Sequence, residues 1–161
     1  MADENLLDSK HWSDLYTLLG DLDREIASLY AESGIEGVRT RFVGSVIELS
    51  RRGPMTIQEL ADRREVTHSA MSQTAAAMRA AGLVESADGP DRRTRRVKLT
   101  ARAEEVVPFL KAEWQATEAT LRALEAELPY SLTQVVQDIR TALQRRPFGE
   151  RLRENLTRFQ S

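Results

Sequence analysis

The 161-residue chain contains no cysteine. That absence removes a disulfide framework, a thiolate metal site and thiol-based oxidant sensing together. Histidine is scarce: His11 and His68 are the only two, they fall on different predicted elements, and they lack ligand spacing. No metal is therefore expected. No apolar run approaches the roughly 18 residues of a helical membrane span. The opening stretch MADENLLDSK is acidic where a secretory signal would be basic, so a cytoplasmic protein without a membrane partner is expected. A phosphate-cradling glycine loop and a histidine oriented by a nearby carboxylate are also missing. The sequence thus offers no catalytic residue and no cofactor site, and the expectation is a protein that is not an enzyme.

What is present is charge, and it is segregated. The net charge of −2 hides −7 over residues 1–36, +6 over 37–103 and −1 over 104–161. A basic middle between less basic ends is what local attraction to a polyanion requires, though a solvated surface would tolerate it too. These three segments are also the expected domains.

Helical periodicity covers most of the chain. Leu15, Leu18, Leu22, Ile26 and Leu29 recur at spacings of three and four in a first helix over about 8–30. A second helix carries Val38, Phe42, Val46 and Leu49 until RRGP stops it, with Gly53 as its C-terminal glycine. MTIQEL then reads as a capping box, Thr56 with Glu59, stapled by Met55 and Leu60. That short helix has Leu60, Ala61 and Val66 to bury. A turn near 64–67 leads to THSAMSQTAAAMRAAG, capped by Thr67 and closed by Gly82. LVESA and the end of RRTRRVKLT read as two strands around DGPD, with Val97 and Leu99 on one face.

Thr100 can cap the next helix, whose inward residues Val107, Leu110, Trp114, Thr117, Leu121, Leu124 and Leu128 follow a heptad-like seam. Packing within the chain and packing against a second chain both fit that seam. Pro108 should kink this helix or mark its effective start. SLTQ reads as a second capping box, Ser131 with Gln134, and Pro147 separates the last two amphipathic helices.

Helix, tight turn, helix, strand, turn, strand is the order of a helix-turn-helix with a wing. On the second helix Met71, Ala75 and Met78 face inward, with Ala70 and Thr74 beside them. Thr67, His68, Ser69, Ser72, Gln73, Ala76 and Arg79 are left outside. They are small or polar with no acid among them, which suits a helix entering a major groove; Gln73 could pair with adenine. Asp91, Arg92, Arg93, Arg95, Arg96 and Lys98 crowd the predicted wing. The arginines there could reach backbone phosphate and a narrow minor groove, with Asp91 shaping the loop. An edge strand blunted by charge is the plainer alternative.

The stretch from Met55 to Val106 resembles the winged-helix core of the MarR (multiple antibiotic resistance regulator) family. Asp91-Arg92-Arg93 matches the family's Asp-x-Arg wing signature, Leu99-Thr100 follows at the expected spacing, and Gly82-Leu83-Val84 matches the exit of the recognition helix. Ala103 stands where many members have glycine. The resemblance implies a mainly α fold with a small β-hairpin wing: a winged helix-turn-helix between N- and C-terminal dimerisation helices. It implies a homodimer on a pseudo-palindromic stretch of double-stranded DNA, with Arg93 at the wing tip, acting in transcription and commonly as a repressor. It further implies a small aromatic or phenolic effector where the dimerisation helices meet the lobe; His11, Trp12, Tyr16, Arg41, Phe42 and Trp114 are the candidates there. A rival expectation from another class is a winged-helix module whose basic wing binds an acidic protein.

Overall fold

The computed structural model describes residues 12–87 and 96–160. The chain divides into two compact units, residues 1–114 and 115–161.

In the first unit, α1 (Ser13–Glu32) and α2 (Thr40–Arg52) precede a two-residue strand β1 (Met55–Thr56). Then come α3 (Ile57–Arg63), α4 (His68–Ala80), β2 (Val84–Ala87), β3 (Arg96–Leu99) and the start of α5 (Ala101–Ala126). The local signals act as their chemistry demands. Gly53 ends α2 at φ 77°, and Gly82 follows α4 at φ 69°, a region where a side chain is strained. Thr56 Oγ1 accepts from Glu59 N (3.1 Å) while Glu59 Oε2 accepts from Thr56 N (2.7 Å), so the capping box is complete. Thr67 Oγ1 accepts from Ala70 N at 3.2 Å. Thr100 Oγ1 donates to Gly82 O (2.7 Å) and accepts from Ala103 N (3.2 Å), tying the exit of α4 to the start of α5.

The two expected strands form an antiparallel pair with Val84 opposite Leu99 and Ser86 opposite Val97. A third strand joins them: Met55 pairs with Val97 and Thr56 with Arg96, giving the order β1-β3-β2. Met55 was expected only as a staple residue, because a two-residue strand has no periodicity to read.

The core gathers Phe42, Val43, Val46 and Leu49 from α2, Leu60 and Ala61 from α3, and Met71, Ala75 and Met78 from α4. Leu83, Val84, Val97 and Leu99 close it from the sheet, and Tyr30, Ala103, Val107 and Leu110 from the flanking helices. Each fully buried aliphatic side chain contributes roughly 1.5–3 kcal/mol. The lobe therefore reaches beyond 37–103 on both sides. Two expected core positions are open to solvent. Val66 is 43% exposed, since it lies in the turn before α4 rather than on a helical face. Ala70 is exposed beside buried Met71, on the outer edge of α4. Pro108 neither starts nor ends α5, which runs through it. Val107 and Leu110, seated in the core on either side, hold the helix across the missing N–H.

The second unit holds the end of α5, then α6 (Leu132–Arg145) and α7 (Phe148–Gln160). Ser131 caps α6 by accepting from Gln134 N at 3.1 Å. The reciprocal arm of the expected capping box is absent, because the Gln134 amide donates to Asp138 instead (2.9 Å). Glu125 fills the gap, accepting from Ser131 Oγ (2.9 Å) and Thr133 N (2.8 Å). The Thr133 backbone N–H, with the Ser131 hydroxyl next, holds the Glu125 carboxyl below the usual range. Neither α6 nor α7 contains a buried residue. The seam accordingly splits: Val107 and Leu110 are core, whereas Leu121, Leu124 and Leu128 are 42%, 44% and 49% exposed.

A candidate nucleic-acid interface

The α4 surface is open. Thr67, His68, Ser69, Ser72, Gln73, Ala76 and Arg79 are all exposed, with Met71, Ala75 and Met78 buried behind them. Ser69, Ser72, Gln73 and Arg79 have no hydrogen-bond or ion-pair partner among the described residues. α4 carries no acid in its first turn or elsewhere. Its donors and acceptors face outward unspent, on a helix held from behind.

Two arginines that the sequence reading passed over do much of the holding. Arg102, on α5, donates from Nη1 to Ala81 O (2.9 Å) at the end of α4 and from Nη2 to Glu36 O (2.7 Å) in the α1–α2 connection. A guanidinium at the carbonyl end of a helix also complements its dipole. Arg64, the residue that caps α3, lies across Gly44 of α2, where a Cβ would come within 2.3 Å of the guanidinium. The same group sits 5.7 Å from the Trp114 ring centre. Nothing in the sequence marks either residue, because the partners are backbone atoms or distant in the chain.

At the wing, Asp91, Arg92, Arg93 and Arg95 lie outside the described residues. Arg96 is described, and it is engaged within the fold. Its Nη1 donates to Pro54 O at 3.0 Å and its Nη2 stands 3.6 Å from Glu59. It ties the base of the wing to the start of α3 rather than reaching outward. Lys98 pairs with Glu85 across the hairpin at 3.0 Å.

The effector candidates differ in burial. His11 lies outside the described residues. Trp12 and Tyr16 are 48% and 71% exposed on and before α1. Phe42 is 1% exposed, sealed in the core with the Arg41 guanidinium 5.4 Å from its ring centre. Trp114 is 38% exposed under Arg64. Phe42 is thus a packing residue, as its place on the inner face of α2 requires.

A helix-turn-helix closed by a three-stranded wing sheet defines a winged-helix protein. Residues 46–94 match the model of the MarR family. No curated protein matches. Among solved structures, the Mycobacterium tuberculosis transcriptional regulator MosR in complex with DNA is similar at 22% identity and TM-score 0.58, over 83% of this chain and 93% of that one. A cysteine-to-serine mutant of MarR from E. coli, complexed with operator DNA, is similar at 16% identity and TM-score 0.57, over 82% and 93%. At such identities the likeness shows the shared fold.

Proposed function

We propose that the protein is a sequence-specific, double-stranded-DNA-binding transcriptional regulator, a ligand-responsive repressor that binds a pseudo-palindromic operator as a cytoplasmic homodimer. The observation that carries this reading is the acid-free, unspent outer face of α4, presented by a rigid lobe within a segment of charge +6. Thr67, His68, Ser69, Ser72, Gln73 and Arg79 would meet bases and phosphates in the major groove. Asp91, Arg92, Arg93 and Arg95 would form the wing contact, with Arg96 bracing its base. The two similar structures named above contain DNA, which supports the same use of the fold. The exposed leucines of α1 and the second unit support a second copy as partner, and Trp12 and Tyr16 offer aromatic surface to a phenolic effector.

The test is selection of genomic duplex fragments by the purified protein near physiological salt with excess competitor DNA. A small recovered set sharing an inverted repeat, half-sites about one helical turn apart, is expected. Affinity for that set should fall with salt by about 0.9 log units per log unit for each phosphate neutralised. Recovery in proportion to input would overturn the reading.

A further inference from the structure

A cavity of about 230 Å³ opens where the end of α2, the start of α3 and the base of the wing meet; Arg52, Pro54, Met55, Glu59, Arg63 and Arg96 line it. Three arginines and one glutamate are among its lining residues. The carboxylate is already occupied: Glu59 Oε2 accepts from Thr56 N at 2.7 Å. That backbone bond, with the charges of Arg96 and Arg63 adding to it, lowers the Glu59 pKa.

The arginines are less well served. Each guanidinium offers five N–H donors and no acceptor. Arg52 spends Nε on Glu48 at 3.0 Å. Arg63 has no hydrogen-bond or ion-pair partner among the described residues. Arg96 spends Nη1 on Pro54 O at 3.0 Å and pairs through Nη2 with Glu59 at 3.6 Å, beyond a hydrogen bond, while its Nε is buried without a partner among the described residues. Glu48, Pro54 O and Glu59 engage only some of these donors, so the cluster keeps donors and positive charge in excess. The cavity is several times the roughly 30 Å³ share of a water molecule, so an anion of several atoms fits. An oxyanion with several oxygens matches guanidinium forks arriving from different elements, where a cation or an apolar ligand would meet only unfavourable charge.

We propose that this cavity is an oxyanion site for a phosphate-type group, held by Arg63, Arg52 and Arg96. Two sources carry that chemistry: a backbone phosphate of bound DNA, and the phosphate of a small phosphorylated ligand. Because its walls come from α2, α3 and β3, an occupant fixes the base of the wing against the helix-turn-helix. The site stands on the free chain and does not depend on the DNA-binding reading.

Its test is a titration of the full-length protein with inorganic phosphate against chloride at constant ionic strength. The amide signals of Met55, Glu59 and Arg96 and the Arg side-chain Nε–H signals are followed by NMR. Saturable shifts are expected at these positions, weakened about tenfold by Arg63→Gln, which removes one charge-assisted donor set from an exposed side chain. Arg122→Gln, in the second unit, should leave the titration unchanged. Shifts that never saturate, or that survive Arg63→Gln intact, overturn the proposal and leave an adventitious ion only. The source is read by adding the duplex recovered by selection. Displacement of phosphate by duplex assigns the site to the DNA backbone. Phosphate, or glycerol phosphate, that stays bound beside duplex assigns it to a free phosphorylated ligand. A protein that binds phosphate but no duplex would refute the regulator reading and keep this site.

Discussion

A phenol and a carboxylate meet in the lobe where neither is met by bulk water. Tyr30 is 2% exposed and Glu113 7% exposed, and the phenol donates to Glu113 Oε2 at 2.9 Å. Burial first, then that hydrogen bond, raises the Tyr30 pKa well above the usual tyrosine value of 10.0. A raised folded pKa means the contribution to stability is intact below the unfolded value. It is lost as the pH climbs from about 10 toward the folded value. Tyr30→Phe should cost about 1.5–3 kcal/mol in urea unfolding at neutral pH, the usual worth of a hydrogen bond to a charged group. In the wild type, the Tyr30 phenolate absorbance at 295 nm should appear only as the lobe unfolds in alkali. Its ionisation in a still-folded lobe would contradict this assignment. The sequence placed Tyr30 at the end of a helix and said nothing of Glu113, because the two are separated by 83 positions. The bond from Arg96 to Pro54 O was hidden for a related reason, since its carbonyl partner lies 42 positions away.

Among the elements, α4 depends on what braces it. The Arg102 fork joins the end of α4 to the α1–α2 connection through two backbone carbonyls, at 2.9 and 2.7 Å. Arg102→Met should leave the lobe folded with a modest fall in Tm, while discrimination between the selected duplex and a scrambled one drops about tenfold. Arg102→Lys should not rescue it, since a single ammonium lacks the planar fork. Competition binding on the two duplexes decides the matter; equal losses on both would make Arg102 a stability residue only. The ends of these elements were legible because caps are local chemistry. Thr56, Thr67, Thr100, Gly53 and Gly82 need only their neighbours to act. Strand β1 and the passage of α5 through Pro108 were not legible, since both depend on tertiary partners that no nearby residue encodes.

At the scale of the molecule, the second unit has helices without a core of their own. Phe148, Leu152, Leu156 and Phe159 on α7, and Leu132, Val135 and Val136 on α6, remain between 42% and 85% exposed. Isolated helices of such length are marginal in water. We expect this unit to reach full stability in the proposed homodimer. Leu124→Asp should shift the sedimentation coefficient from dimer to monomer and reduce the helical circular-dichroism signal. A charge there would otherwise be buried unpaired. An unchanged dimer would show that the face of α5 bearing Leu124 is not part of the interface. The heptad spacing fitted packing within the chain and against a second chain alike, because a periodic stripe marks a face to be covered and not what covers it; Leu121, Leu124 and Leu128 stay half exposed.

The stacking of Arg64 against Trp114 has a practical consequence. The chain has two tryptophans, and Trp12→Phe would leave Trp114 as the single indole emitter. That ring lies 5.7 Å from a guanidinium belonging to the turn of the helix-turn-helix. Indole emission responds to a nearby positive charge and to hydration, so any displacement of the turn is written into its wavelength and lifetime. The protein carries an internal gauge of its own helix-turn-helix, requiring no dye and no label, on which DNA, phosphate and any effector can be compared on one scale.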